Sequence, residues 1–249
     1  MPEYTYSTTF IKCGDTAELV QSITSVFEAE GMRRLTSAPN KRFYHDWPVL
    51  DCNRWKLEVI VGEGGWHLLL PTPWNLLADR VLADENSRLA CLANRLGSEA
   101  FSLCTHDAYP GEHGHVLLET IGSDTFATGH WRNAAPEDYD APGASDSDPN
   151  FYGTSFVGRV KSIQPQTKLT QQLWLDADLF LKTADFDEHD DCRHESEIEF
   201  KQRYFIKHLL GISPNDVVQN EEYWACSEWA KTRHFVLWFE WPANDRPEP

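Results

Sequence analysis

The chain has 249 residues, a 41% hydrophobic share and a formal net charge of -17, enough apolar material for a sizeable core, which excludes disorder of the whole. Affinity for a phosphate backbone comes mainly from Lys and Arg, so this charge argues against nucleic acid and favours a basic protein or a cation as partner. No run approaches the roughly 18 apolar residues of a membrane helix, and the N-terminus MPEYTYSTTF lacks the basic and apolar regions of a signal peptide, so the expectation is a cytoplasmic protein with no membrane association.

Tyr4 to Lys12 reads as a first strand, rich in β-branched and aromatic residues. A helix follows, with Asp15 as its cap, Glu18 three residues on, an apolar stripe of Leu19, Val20, Ile23, Val26 and Phe27, and Gly31 as its stop. Met32 to Val49 reads as an edge strand and a loop. Trp55 to Leu70 is a hairpin. In its first arm Trp55, Leu57, Val59 and Val61 alternate with Lys56 and Glu58, the pattern of a half-buried strand. The glycines of Gly62-Glu63-Gly64-Gly65 reverse the chain, and the return arm from Trp66 is apolar enough to be covered on both faces.

Pro71-Thr72-Pro73 is expected to break the sheet, because proline cannot donate to a ladder, and Pro73 to open a short helix through Trp74, Leu77 and Ala78. Leu89, Leu92, Ala93 and Leu96 form the stripe of a second helix that Gly97 ends. Glu99 to His106 and Gly114 to Ile121 make another hairpin, with Thr125 to Trp131 beside it. The composition from Asn133 to Asn150 shifts to Pro, Gly, Asp, Ser and Ala, as in a loop or linker.

Beyond it, Phe156 to Ile163 and Leu169 to Leu175 read as strands, and Ala177 to Thr183 fits either strand or helix. Ser196 to Leu210 is a helix with Glu197–Lys201 and Glu199–Arg203 at the i, i+4 spacing, ended by Gly211. Ser213-Pro214-Asn215-Asp216 has the form of a further helix start, followed by Val217, Val218, Trp224, Ala225 and Trp229 as a core stripe. His234 to Trp241 is apolar enough for a central strand covered on both faces.

Strands and helices come in runs without strict alternation, which specifies an α+β fold. The expected architecture is one or more mainly antiparallel sheets flanked by about four to five helices, in two α+β halves packed together. The halves are residues 1–131 and 156–249, joined by an acidic Pro/Gly/Ser-rich segment over 132–155, with one continuous domain as the alternative. The deep placement of Trp55–Leu70 and His234–Trp241 suggests a single sheet joining them.

Chemistry-bearing residues concentrate in Asp185 to Glu199, DFDEHDDCRHESEIE. His189, Cys192, His194 and Glu195 are ligand types for zinc or another divalent metal, which with an open position activates water. The spacing does not support a site: there is no HExxH, and the i, i+5 step from His189 to His194 does not place both rings on one helical face. A solvated acidic helix entrance explains the same residues. His113 and His115, near His106 and Asp107 across a turn, form a second candidate set, for which a polar hairpin tip is the simpler account. Asp146, Asp148 and Asn150 begin like a calcium loop, but Phe151 occupies the glycine position and Val157 that of the bidentate glutamate. No phosphate loop, dinucleotide fingerprint or nucleophile elbow occurs. The six cysteines contain no CxxC pair, and most read as small buried hydrophobes.

The 10 tryptophans run through every region. Most fall on core stripes, whereas Trp47, Trp131 and Trp241, at element ends, are candidates for a partner surface. The functional expectation is a non-catalytic protein-interaction module, of the kind of a toxin-neutralising immunity protein. Asp187, Glu188, Asp190 and Asp191 would steer a basic partner and the aromatic residues would supply short-range contacts. The alternative is a metal-dependent hydrolase built on the 185–199 cluster; a tryptophan-lined small-molecule pocket is a third reading. No cofactor is expected under the first.

Overall fold

The computed structural model describes residues 4–37, 42–44, 47–49, 54–72, 77, 87–107, 112–121, 124–133, 163–183, 197–212, 217–219, 224–226 and 233–241. The strands are β1 (Tyr4–Lys12), β2 (Arg33–Leu35), β3 (Arg42–Tyr44), β4 (Trp47–Val49), β5 (Arg54–Val61), β6 (Trp66–Thr72), β7 (Ala100–Asp107), β8 (Glu112–Ile121), β9 (Asp124–Asn133), β10 (Val217–Gln219), β11 (Trp224–Cys226) and β12 (His234–Glu240). The helices are α1 (Thr16–Ala29), α2 (Arg88–Leu96), α3 (Lys168–Thr183) and α4 (Glu197–Leu210). Eight strands form one antiparallel sheet in the order β2-β12-β5-β6-β1-β7-β8-β9, with β3–β4 and β10–β11 as separate pairs. The fold is α+β. Because β12 lies between β2 and β5, one sheet holds strands from both ends of the chain.

Side-chain alternation divides the sheet into two apolar faces. On one, Ile11, Leu57, Val59, Leu69, Leu237 and Phe239 pack with Leu19, Ile23 and Phe27 of α1 and Leu89, Leu92 and Ala93 of α2. On the other, Phe10, Ile60, Leu68, Phe101, Leu103 and Leu117 pack with Leu173 and Ala177 of α3 and Phe205, Ile206 and Leu209 of α4. The central strands are therefore covered on both sides, as the apolar run from Trp66 to Leu70 requires.

Local chemistry sets the element ends. Asp15 Oδ1 accepts from the Ala17 N–H to cap α1, and Ser87 Oγ accepts from Ala90 N–H at the start of α2. Gly97 ends α2 at φ +57. In the β5–β6 turn, Gly64 and Gly65 have φ of +67 and +80, a region closed to most residues. Gly62 is needed for space, since a Cβ there would fall 2.4 Å from Leu210 Cδ2.

Several expectations are corrected. Leu169–Leu175 is helix, not strand. Thr167 caps α3 through Oγ1, which accepts from Thr170 N–H, and Leu173 and Ala177, one turn apart, are buried against the sheet. The stripe drawn through 217–229 is not a helix in its described parts: Val217–Gln219 and Trp224–Cys226 pair antiparallel, consistent with the strand preference of β-branched valines. Pro71 does not end β6 but pairs with Leu57 of β5. The described β1–β6 register ends at Leu69, so proline occurs where no bond toward β1 is required. Lys56 and Glu58 are not solvated; both are buried. On β12 only the Leu237 and Phe239 face is buried, whereas Val236 and Trp238 are half-exposed.

Candidate functional site

Three groups of side chains stand apart from the apolar core. The first joins β5 to β12. Glu58 Oε1 accepts from the Lys56 ammonium, two residues away on the same strand, and its Oε2 lies 2.8 Å from His234 Nε2. Residues two apart on a strand share a face, and the register sets Lys56 opposite Trp238 and Glu58 opposite Val236. Burial pushes the Glu58 carboxyl up, but the His234 hydrogen bond and the Lys56 ammonium outweigh it and hold the group below its ordinary range. The same face carries Glu240, which pairs with Arg33 of β2 and with Arg54 of β5 at 3.5 Å. This arrangement fixes an ionised carboxylate and orients an imidazole; it also ties three strands together.

The second group is a groove beside β2, of about 460 Å³, lined by Arg34, Leu35, Thr36, Ser37, Val236 and Trp238. It borders the charged cluster through the register partners just given.

The third is the outer face of the α3–α4 pair. Leu175, Leu179 and Phe180 are 63%, 62% and 44% exposed. Phe180 stacks on Phe200 with centroids 6.0 Å apart and lies 5.8 Å from Tyr204. Beneath this surface the fully buried ammonium of Lys201 binds Asp178 of α3 and lies 4.7 Å from the Trp174 ring. Lys201 is therefore an interhelical anchor, joining α4 to α3.

Of the residues singled out from sequence, Trp241 is 8% exposed and meets Trp55 edge-on at 5.7 Å. It is a core group, because the face of β12 that carries Phe239 continues through it onto α1. Trp47 and Trp131 fall in β4 and β9, where only their backbone is described. Asp187, Glu188, His189, Asp190, Asp191, Cys192, His194 and Glu195 lie outside the described residues, as do most of the 132–155 segment and residues 156–162. The register places His113 opposite Asp107 and His115 opposite His130. Among the described residues no group of three or more His, Cys, Asp and Glu is arranged to hold a metal ion, and no helix is long and apolar enough to cross a membrane.

Several buried polar groups elsewhere have structural partners. Ser7, Thr9 and Ser102 hydroxyls join β1 to β7, with Ser102 Oγ 2.8 Å from both others, and the Cys104 thiol donates to Ser7. Burial pushes the Cys104 thiol up, which makes it a poor nucleophile. Glu119, buried on β8, accepts from the backbone N–H groups of Gln166 and Thr167 at 2.7 and 2.9 Å and from the Thr170 hydroxyl. It thereby anchors the start of α3, where a carboxylate suits the helix dipole.

The Glu58–His234 pair was not legible in the sequence, because 176 residues separate its members. The only trace is a Lys and a Glu alternating with apolar residues on β5 and a His opening the apolar run of β12. No protein-family model, curated protein or solved structure matches this chain.

Proposed function

We propose that this chain is a non-catalytic protein-interaction module, an inhibitor of the immunity type, which takes a basic partner on the acidic and aromatic end of the α3–α4 pair. The observation that carries this reading is the exposure of Leu179 and Phe180 in the last turns of α3, with Phe180 stacked on Phe200 in the first turn of α4. Residues 184–196, which link those two helix ends, contain six carboxylates, Asp185, Asp187, Glu188, Asp190, Asp191 and Glu195, and one arginine, Arg193. Apolar area at one end of a helix pair gives short-range affinity, and carboxylates tethered to that end give long-range attraction.

The test is co-purification with cross-linking to identify the partner, followed by kinetics. Reversing the charge of Asp187, Glu188, Asp190 and Asp191 is expected to slow association and flatten its salt dependence, whereas Phe180→Ser accelerates dissociation. Association and dissociation rates unchanged in both variants would refute the placement. Stoichiometric zinc, manganese or iron in untagged protein, lost in a His189→Ala, His194→Ala double variant, would instead favour a metal-dependent hydrolase.

A further inference from the structure

Register gathers histidines at one end of the sheet. It sets His113 of β8 opposite Asp107 of β7, and His115 of β8 opposite His130 of β9. Alternation then assigns the faces. Leu103 and Leu117 belong to the face that packs on α3 and α4, and Thr128, the register partner of Leu117, accepts there from the Gln164 N–H. Asp107 lies four residues after Leu103, His115 and His113 lie two and four before Leu117, and His130 lies two after Thr128, so all four positions fall on this face. His106 lies two residues after Cys104, which packs on the α1 side, and therefore falls on the opposite face. Register thus removes His106 from the set that the sequence suggests at this hairpin and adds His130.

Of Asp107, His113, His115 and His130 the backbone alone is described, so they stand outside the side chains among which no metal-holding group occurs. Their spacing is that of a small ion site. Cross-strand partners on one face have Cβ atoms about 4.5–5.5 Å apart and diagonal neighbours about 7–8 Å, and positions two apart on a strand are separated by about 6.5 Å. His115 and His130 are related by the first step, His113 and His130 by the second, and His113 and His115 by the third. Three imidazoles within that span suit one metal ion bound through nitrogen at about 2.0–2.1 Å, with a fourth position open. Asp107 adjoins His113 but is two strands from His130. Arg132, opposite His113 on β9, puts a fixed positive charge on the same face. That charge disfavours calcium or magnesium, which rely on several oxygen ligands and carboxylate charge, whereas neutral imidazoles suit zinc, copper, nickel and iron.

We propose that His113, His115 and His130 form a three-histidine site for a divalent transition metal of the zinc class, with Asp107 as the outer carboxylate of His113. A carboxylate next to a ligating histidine fixes its tautomer and raises its basicity. The open position takes water or an anion, and the neighbouring Arg132 favours the anion. Neither residues 185–199 nor the partner-binding end of α3–α4 enters this site, so it stands apart from the partner reading.

The test uses the untagged full chain, stripped of metal and titrated with zinc against a chromogenic chelator and, in parallel, with cobalt(II). One equivalent of zinc is expected, and a cobalt complex with the strong visible bands of a four-coordinate nitrogen and oxygen set and no thiolate charge-transfer band. His115→Gln and His130→Gln should each weaken zinc by more than about 100-fold, and Asp107→Asn by about 10–100-fold, the range of an outer-shell loss. His106→Gln, on the opposite face, and the His189→Ala, His194→Ala double variant should bind as the parent does. Urea midpoints of the metal-free forms read folding separately, and zinc should raise the midpoint of the parent but not that of His130→Gln. His113→Gln, with the same expected loss, takes the place of either histidine variant that does not fold. Absence of stoichiometric zinc, parental affinity in a folded His113, His115 or His130 variant, or loss of zinc in His106→Gln or in the His189, His194 double variant would overturn the proposal.

Discussion

Glu58 Oε2 and His234 Nε2 lie 2.8 Å apart, so a charged group of the central hairpin meets the last strand of the sheet inside the fold. The ladder between β5 and β12 supplies backbone bonds; this contact adds a side-chain lock that has a defined pH response.

Because the folded Glu58 pKa lies below its ordinary value of 4.5, its ionised form favours the native state. That contribution is fully present above about pH 4.5 and is lost as pH falls through the folded value. Glu58→Gln removes the buried carboxylate that binds both the Lys56 ammonium and His234, for an expected loss of about 3 kcal/mol at pH 7. It should also flatten the stability curve below pH 4.5, as read from urea midpoints between pH 7 and pH 3. An acid limb as steep as that of the parent would assign the effect to other carboxylates.

His67 acts in a higher window. Burial lowers its pKa below 6.5, only partly opposed by the bond to the Cys13 carbonyl, and its Nδ1 is buried with no hydrogen-bond partner. The unfolded chain therefore takes up the proton first. Stability is full above about pH 6.5 and declines as pH falls from there to the folded value. In His67→Gln the slope of the urea midpoint between pH 7 and pH 5 should decrease; an undiminished slope would point to another histidine.

Lys201 tests the α3–α4 interface. Removing its buried ammonium leaves Asp178 without this partner and Trp174 without its cation, so Lys201→Ala should cost about 3 kcal/mol or more. Lys201→Met, which preserves the packed stem, should cost less. Asp178 is one-third exposed, and Asp178→Asn should be milder than Lys201→Ala. Thermal denaturation of the three variants gives the ranking, and equal losses would contradict it.

Gly62 and Gly14 form a matched pair. A Cβ on Gly62 meets Leu210 Cδ2 at 2.4 Å and Leu210 Cα at 2.9 Å, whereas one on Gly14 meets nothing within 4 Å. Gly62→Ala should destabilise by about 1–3 kcal/mol through overpacking of α4 on the turn. Gly14→Ala should change stability little, and similar chemical-denaturation midpoints for the two would show that α4 shifts freely.

Where local chemistry sufficed, the elements follow the sequence closely. Tyr4–Lys12 is β1 as expected, Asp15 caps α1, Gly97 closes α2, and β7 and β8 pair over the segments read as a hairpin. Strand periodicity, side-chain caps and positive-φ glycines are properties of neighbours in the chain, and the order of residues specifies them. The misread elements are those whose competing local signals were settled by packing. The α3 segment became helix with its cap at Thr167 and its start bound to Glu119 of β8; Val217–Gln219 found a strand partner in Trp224–Cys226.

The candidate sites belong to this second kind. The exposed aromatic end of α3–α4 depends on which helix face meets the sheet, the groove on where the β2–β12 ladder ends, and the Glu58–His234 pair on β12 docking beside β5. Composition and periodicity alone determined an α+β protein with a mainly antiparallel sheet and apolar strands within 55–70 and 234–241. Only the tertiary structure decided which charged side chains share a buried face, because cross-strand register couples residues that the sequence holds far apart.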